Sequence, residues 1–318
     1  MAGTAGAGPS PAATLPTVLV LLASYNGAAW LPEQLASILD QRDVAVRVLI
    51  GDDRSKDNTL ALLADTWAND ARVTVRAWDS ASGSAGGNFR RLYVQADLQG
   101  VDFVALADQD DVWLPSKLAA AVGALNDSQA SGYSCAVRAF WPDGREKTLA
   151  QNPRIRAADF LFEGAGQGCS FVLSAPLFAR VQALCIAAPD LVSALHYHDW
   201  LIYLLARAWG ETWYFDPQPG MRYRQHANNE IGARGGAGAV MRRIGMIRNG
   251  WYRKQVKAAI AIYRFAGGAH AVPFAISALM QHPTSLGRVR LMACVLRHGR
   301  RSQADRAILA LAALAGWI

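Results

Sequence analysis

The sequence predicts an α/β protein: a mostly parallel, Rossmann-like sheet flanked by helices on both faces, followed by a basic helical C-terminal extension. Three observations carry this. Apolar, β-branched runs alternate with helix-spaced segments over residues 17–110, the order that parallel strands with crossover helices require. Two of the runs stop abruptly at carboxylates, and open sheets bind ligands just past such strand ends. Beyond Glu230 the composition changes, with fourteen Lys/Arg and a single acid, Asp305.

The elements follow in order. Residues 1–16 are Ala/Gly/Pro/Ser-rich, lack a basic leader or long apolar core, and are expected to be a disordered tail rather than a signal peptide. Residues 17–22 form a first strand, and residues 30–39 place Leu31, Leu35, Ile38 and Leu39 on one helical face. Residues 44–50 form the next strand, after which Asp57 or Asn58 caps a helix over 59–68. A third strand spans 73–77, a Gly/Ser/Ala loop spans 80–87, and a helix lies near 89–96. Residues 101–107 are the fourth strand, with a helix starting near Pro115.

The middle of the chain is less regular. Strands are expected at 133–140, 170–173 and 212–215, with helices at 175–186 and 200–208. The catalytic domain is placed at 17–236 and the basic region at 237–318.

With 318 residues, 52% of them hydrophobic and 18% charged, the chain can bury a sizeable core as one large domain or two. Four cysteines without a C-x-x-C pair argue against a zinc ribbon or a redox motif, and make a reducing cytoplasm the default. The net charge of +7 divides into about −6 before Glu230 and about +13 after it. That asymmetry points to an anionic partner surface, either nucleic acid or anionic lipid. Basic and apolar residues interleave over 242–257 and 288–301, a pattern that can lie in a membrane interface or pack as an ordinary helical subdomain. The apolar stretch 307–318 is too short to span a bilayer.

Four clusters carry chemistry. Ser24-Tyr25-Asn26 follows the first strand, and Asp52-Asp53 the second. Asp108-Gln109-Asp110-Asp111 follows the fourth. Further on come His198-Asp199 and the alternating Arg222, Arg224 and His226. Carboxylates crowded at a strand end repel one another unless a cation sits between them, and a hard divalent ion carrying phosphate oxygens is the usual solution. Each acid also has a plainer explanation: Asp111 can cap the helix near Pro115, and Asp199 the helix at 200–208. Tyr25 alone reads as a surface aromatic, and His226 as a loop histidine satisfied by neighbours.

Together, over residues 17–232, these segments resemble glycosyltransferase family 2, which has a GT-A type nucleotide-sugar-binding fold. The Asp-Gln-Asp-Asp-Val-Trp and Tyr-Arg-Gln-His-Ala-Asn-Asn segments look most like bacterial rhamnosyltransferases of cell-surface polysaccharide synthesis. The resemblance implies an inverting, metal-dependent transfer of a sugar from a nucleotide-sugar donor. Ser24, Tyr25 and Asn26 would meet the nucleobase. Asp53, or its neighbour Asp52, would accept hydrogen bonds from base or ribose. Asp108 would contact ribose or orient its loop, with Gln109 beside it. Asp110 would ligate Mg2+ or Mn2+, with Asp111 its local competitor.

Asp199 would be the catalytic base. His198 stands where the family commonly has an acid, and is either the alternative base or an orienting group. His226 would add a metal or diphosphate contact. Arg222 and Arg224 would close over the diphosphate, and Asn228 and Asn229 would reach the donor sugar from a lid punctuated by the glycines of 232–238. The segment 166–170 suits an acceptor-side loop, with no chemical role assigned to Cys169.

The expected donor is dTDP-rhamnose, with UDP-sugars as the other group. The expected acceptor is a saccharide or lipid-linked saccharide, met at the inner face of the cytoplasmic membrane by peripheral contact through the basic region. Two other functions fit part of the pattern. A metal-dependent nucleotidyl- or phosphotransferase would use the same acidic strand ends, though no P-loop is present. A nucleic-acid-binding protein would use the basic region, against the acidity of the first 230 residues.

Overall fold

The structure is a computed structural model and describes residues 14–226, 245–281 and 284–318. Most of the tail expected over 1–16 lies outside the described residues. A single nine-stranded sheet organises the fold. Its first half is parallel. β1 (Thr17–Ser24) lies between β2 (Ala45–Asp52) and β4 (Phe103–Asp108), and β3 (Val73–Ala77) pairs outside β2.

The second half is mixed. β8 (Val172–Ser174) runs antiparallel to β4, and β6 (Gly132–Phe140) antiparallel to β8. β9 (Trp213–Arg224) is parallel to β6, and the two-residue β5 (Val112–Trp113) closes antiparallel on β9. β7 (Glu146–Leu149) is an added partner of β6.

Strand alternation feeds two cores. Val18, Val20 and Leu22 of β1 enter one cluster with α1 (Leu31–Leu39), while Leu19 and Leu21 enter the other with α3 (Ala85–Gln95). The second cluster also takes α5 (Ala175–Ala187) and α7 (His198–Ala208). Three strands therefore read as continuous apolar runs because both of their faces are buried.

The other helices are α2 (Thr59–Trp67), α4 (Lys117–Ser128) and the short α6 (Pro189–Ser193). Beyond residue 250 come α8 (Trp251–Phe265), α9 (Ala271–Gln281), α10 (Ser285–His298) and α11 (Gln303–Leu314). Val256, Ile260, Leu291, Val295, Leu309 and Ala313 share the core cluster of α3, α5 and α7, so these helices pack on one face of the sheet. Among the described residues no helix is long and apolar enough to cross a membrane.

Two elements differ from expectation for identifiable reasons. β9 runs nine residues beyond the expected end at Phe215, through Pro217, Pro219 and Gly220. Register shifts opposite Cys135 and Ala136 absorb these turn-forming residues as a bulge. The α3 helix starts at Ala85 because the Ser84 side chain accepts from the Gly87 N–H. Gly86 is required there, since a Cβ would stand 2.4 Å from the His196 carbonyl oxygen.

Candidate active site

Register places the acidic strand ends side by side. Ser24 on β1 pairs with Asp52 on β2, and the preceding Ala23 pairs with Asp108 on β4. The C-terminal edge of the parallel half therefore presents the Ser24, Asp52 and Asp108 loops on one rim.

Much of that rim is cross-tied. Gln109 Oε1 accepts from the Tyr25 N–H at 2.8 Å and from the Ser24 hydroxyl at 3.2 Å, and Gln109 Nε2 donates to the Tyr25 carbonyl at 2.9 Å. Asn26, in the left-handed region at φ 49°, accepts from the Lys56 N–H through its side chain. Asp52 is buried and accepts both the Ser55 N–H and the Ser55 hydroxyl. Asp53 accepts the Ser82 N–H at 2.7 Å and the Ser82 hydroxyl at 2.8 Å, with Arg91 at 3.5 Å. It thereby anchors the 80–87 loop. Tyr25 is largely exposed at the rim.

The Asp108–Asp111 loop is where charge is concentrated. Ligand atoms of Asp108, Asp111 and Cys169 lie within 4.8 Å of one another. Asp111 is buried, and its Oδ1 accepts the Arg224 N–H at 3.1 Å while its Oδ2 has no hydrogen-bond partner. Burial, then the charges of Asp110 and Asp108, push its pKa well above the usual carboxylate range. Asp111 does not cap α4, whose N-cap is Ser116. Asp110 Oδ2 meets His226 Nε2 at 2.6 Å, and His226 stacks on Trp30 at 4.4 Å.

The Arg224 guanidinium donates to the Asp110 carbonyl and pairs with Glu33. Arg222 pairs with Glu146 at 3.5 Å. Both guanidiniums lie over the Phe140 ring, at 4.4 and 4.8 Å, so the alternating arginines share one face of β9.

The segment expected to be an acceptor-side loop, 166–170, lies between this loop and Asp199. The single helical turn Gly168–Ser170 sets Cys169 against Asp108 and Asp111, while a Cβ on Gly168 would stand 3.1 Å from the Asp199 Cβ. The charges of Asp199 and Asp108 both act on the Tyr93 hydroxyl, which burial pushes up first. Asp199 opens α7, and its Oδ1 accepts the Trp200 N–H. His198 is buried, stacked on Phe89 at 3.8 Å, with its Nδ1 2.7 Å from the Tyr93 hydroxyl. Burial and the nearby Arg90 lower its pKa to about 3.

Trp30, Glu33, Tyr93 and Cys169 were not legible as site residues, because in sequence they resemble helix-start and core residues. Asn228, Asn229 and the glycines of 232–238 lie outside the described residues.

Comparison with known proteins gives the family. Residues 19–182 match the family model described as Glycosyl transferase family 2. The dTDP-rhamnosyl transferase RfbG of Shigella flexneri is 36% identical over 236 residues, covering 74% of this chain and 82% of that one. The chain belongs to glycosyltransferase family 2. It is an enzyme that transfers a sugar from a nucleotide-sugar donor, among relatives of polysaccharide synthesis.

A second family relative, the Escherichia coli UDP-Glc:alpha-D-GlcNAc-diphosphoundecaprenol beta-1,3-glucosyltransferase WfgD, is 29% identical over 101 residues, 32% of this chain and 38% of its own length. TarS of S. aureus in complex with UDP superposes with a TM-score of 0.55 at 13% identity, covering 95% of this chain and 89% of that one. At that identity the likeness speaks for the GT-A fold alone.

The donor set of the acidic loop suits a hard divalent cation. The carboxylates of Asp108 and Asp111 lie close together, with one buried Asp111 oxygen left without a hydrogen-bond partner, while the next carboxylate along the loop, Asp110, is paired with the His226 imidazole. Burial, then the neighbouring Asp111 and Asp108, push the Cys169 thiol well above its ordinary range.

Proposed function

We propose that the enzyme transfers rhamnose from dTDP-rhamnose to a saccharide acceptor by a single inverting displacement. One observation supports the mechanism: Gly168–Ser170 lies between the acidic loop and Asp199, with Cys169 against Asp108 and Asp111 and Gly168 against Asp199. The 36% identical dTDP-rhamnosyl transferase supports the choice of donor.

The Asp199 carboxylate takes the proton of the acceptor hydroxyl as its oxygen attacks C1 of the sugar. The bond from C1 to the diphosphate oxygen breaks on the opposite face, and dTDP leaves. His198 is the weaker candidate, since a buried imidazole whose pKa is lowered to about 3 is a poor proton acceptor at neutral pH. Its bond to Tyr93 and stacking on Phe89 instead fix the start of α7, and so the position of Asp199.

Asp110 and His226 would hold Mg2+ or Mn2+, with Asp108 and Asp111 beside them. The bound cation would offset charge growing on the leaving diphosphate. Arg222 and Arg224 would face the diphosphate from β9. Ser24, Tyr25, Asn26 and Gln109 would form the nucleobase edge, with Asp52 and Asp53 shaping it through Ser55 and Ser82. Asn228 and Asn229 remain assigned to the donor sugar. The acceptor would be a lipid-linked saccharide, reached by peripheral contact at the cytoplasmic face of the membrane.

Calorimetry with dTDP and UDP, each with Mg2+, Mn2+ or EDTA, tests the donor site. Metal-dependent binding that favours dTDP and is lost in Asp110→Ala is expected. Unchanged metal-dependent affinity in that variant removes Asp110 from the ligand set. In turnover, release of pyrophosphate instead of dTDP would replace sugar transfer with nucleotidyl transfer.

A further inference from the structure

The last two helices carry their apolar residues on the wrong side for a protein surrounded only by water. On α10, Gly287, Leu291 and Val295 face the core. The opposite face presents Leu286, Val289, Ala293 and Leu296 at steps of three and four residues, with Leu286 60% exposed. On α11, Leu309, Ala310, Ala312 and Ala313 face the core, while Ile308, Leu311 and Leu314 face outward and Leu311 is 66% exposed.

Each helix thus has two apolar faces, and among the described residues only one of them is covered. The helices are antiparallel neighbours. Gly316, just past the end of α11, lies against the guanidinium of Arg288 at the start of α10, where a Cβ would stand 2.9 Å from the guanidinium carbon. Both bury one side in the same core cluster, so their outward stripes share one surface.

The charge around this surface has one sign. Arg290 and Arg297 project beside the apolar stripe of α10 and Arg288 flanks it, and none of the three makes an ion pair among the described residues. Arg248 stands over the exposed Trp317 ring at 5.6 Å. The acid of the hairpin, Asp305, is already paired with Arg300.

An apolar stripe bordered by arginines with an amphipathic Trp at its edge matches the boundary between acyl chains and anionic headgroups. A second copy docking through the same face would bring like charges together, which opposes association.

We propose that the α10–α11 hairpin is a monotopic membrane-docking surface for anionic phospholipid, with Leu286, Val289, Leu296, Ile308, Leu311 and Leu314 entering the interface and Arg288, Arg290 and Arg297 meeting the headgroups. This deepens the membrane contact proposed above. Its test uses no sugar transfer, so its failure leaves the donor and base assignments standing.

The experiment is vesicle flotation of the full chain, with phosphatidylcholine alone and with phosphatidylcholine enriched in phosphatidylglycerol, at low and high salt. Binding is expected to the anionic vesicles only, and to weaken with salt. Each basic residue at such a surface contributes about a fivefold change in affinity, so Arg290→Glu with Arg297→Glu should reduce binding by about 25-fold or more. Leu296→Glu with Leu311→Glu should reduce it comparably, because it removes the inserted apolar groups.

Both variants change outward-facing side chains. Each should keep the parent's melting temperature and metal-dependent dTDP affinity, which separates lost docking from lost folding. Absence of binding to anionic vesicles overturns the proposal, as does equal binding to neutral ones or binding unchanged in both variants. A dimer in solution that Leu296→Glu with Leu311→Glu dissolves would overturn it as well, by giving the face to a second copy.

Discussion

Two buried aspartates, Asp111 and Asp159, show how the same residue type serves opposite ends. Asp159 lies at the short helical turn over Asp159–Leu161 and is fully buried. Every side of its carboxylate is occupied: by the Phe160 N–H, the Tyr203 hydroxyl at 2.8 Å, Arg207 at 2.7 Å and Arg301 at 3.5 Å. Asp111 is as deeply buried, yet its Oδ2 has no hydrogen-bond partner, and the charges that shift it most, Asp110 and Asp108, are of its own sign and outweigh the buried Lys117. The first arrangement ties Arg301, next to α11, to the catalytic body. The second is unfavourable as it stands and becomes favourable when positive charge arrives. Burial alone does not separate structural from functional acids. The account of their partners does.

The largest effect that sharpens this contrast lies at the catalytic side. Asp199→Asn removes a proton acceptor while keeping the shape of the side chain, so kcat should fall by about 10²–10⁴-fold. Metal-dependent dTDP binding, followed by calorimetry, should persist. Near-normal turnover would place the base elsewhere in the cleft.

On the structural side, Asp159→Ala removes the carboxylate paired with Arg207 and leaves the buried Arg301 with Glu163 alone. Breaking a buried pair of this kind costs about 3–5 kcal/mol. Urea unfolding should register that loss. Donor affinity, measured under conditions where the variant is folded, should hold. A variant as stable as the parent would mean that the network contributes specificity rather than stability, and the contrast with Asp111 would fail.

How far the sequence disclosed these two regions follows from the range over which each is built. The strand ends were legible because Ala23, Asp52 and Asp108 each terminate a local apolar run, and parallel register then aligns them. Residues 166–170 were readable as an acceptor-side loop, but the contacts of Gly168 and Cys169 with His198, Asp199 and Asp111 were not, because those residues are distant in sequence. The Asp159 cluster was equally silent: Asp159 and Arg301 are 142 residues apart. The second half of β9 was missed because its prolines signal a turn, and only a bulge against β6 lets the strand pass through them. Asp111 was readable as a helix cap, but the chain places Ser116 at that position.

His198 offers a pH test lying between the two aspartates in character. Its folded pKa is lowered to about 3, against an ordinary value of 6.5. The unfolded chain therefore takes up a proton that the folded chain refuses. Stability is fully present above pH 6.5 and falls as pH drops from there toward 3. The slope should approach about 1.4 kcal/mol per pH unit from this residue. Urea midpoints measured on either side of the imidazole's ordinary range should show it. His198→Asn should flatten the slope in that window, and an unchanged slope would assign it to other groups.

The smallest effect is the most discriminating for Asp111. A carboxyl whose folded pKa is raised costs stability above its ordinary range, because the folded state holds a proton that the unfolded state releases. The sign is opposite to that of a paired acid. In EDTA, Asp111→Asn should therefore gain on the parent as pH rises from mildly acidic to mildly alkaline, by up to about 1 kcal/mol, since rearrangement of the loop relieves part of the cost. In saturating Mg2+ or Mn2+ with dTDP the order should reverse, because the parent then gains ligand-linked stability that the variant lacks. Thermal melts of both proteins, with and without metal and nucleotide, supply the four curves required. If Asp111→Asn loses stability in EDTA as Asp159→Ala does, Asp111 is a structural acid, and the proposed cation ligands contract to Asp108, Asp110 and His226.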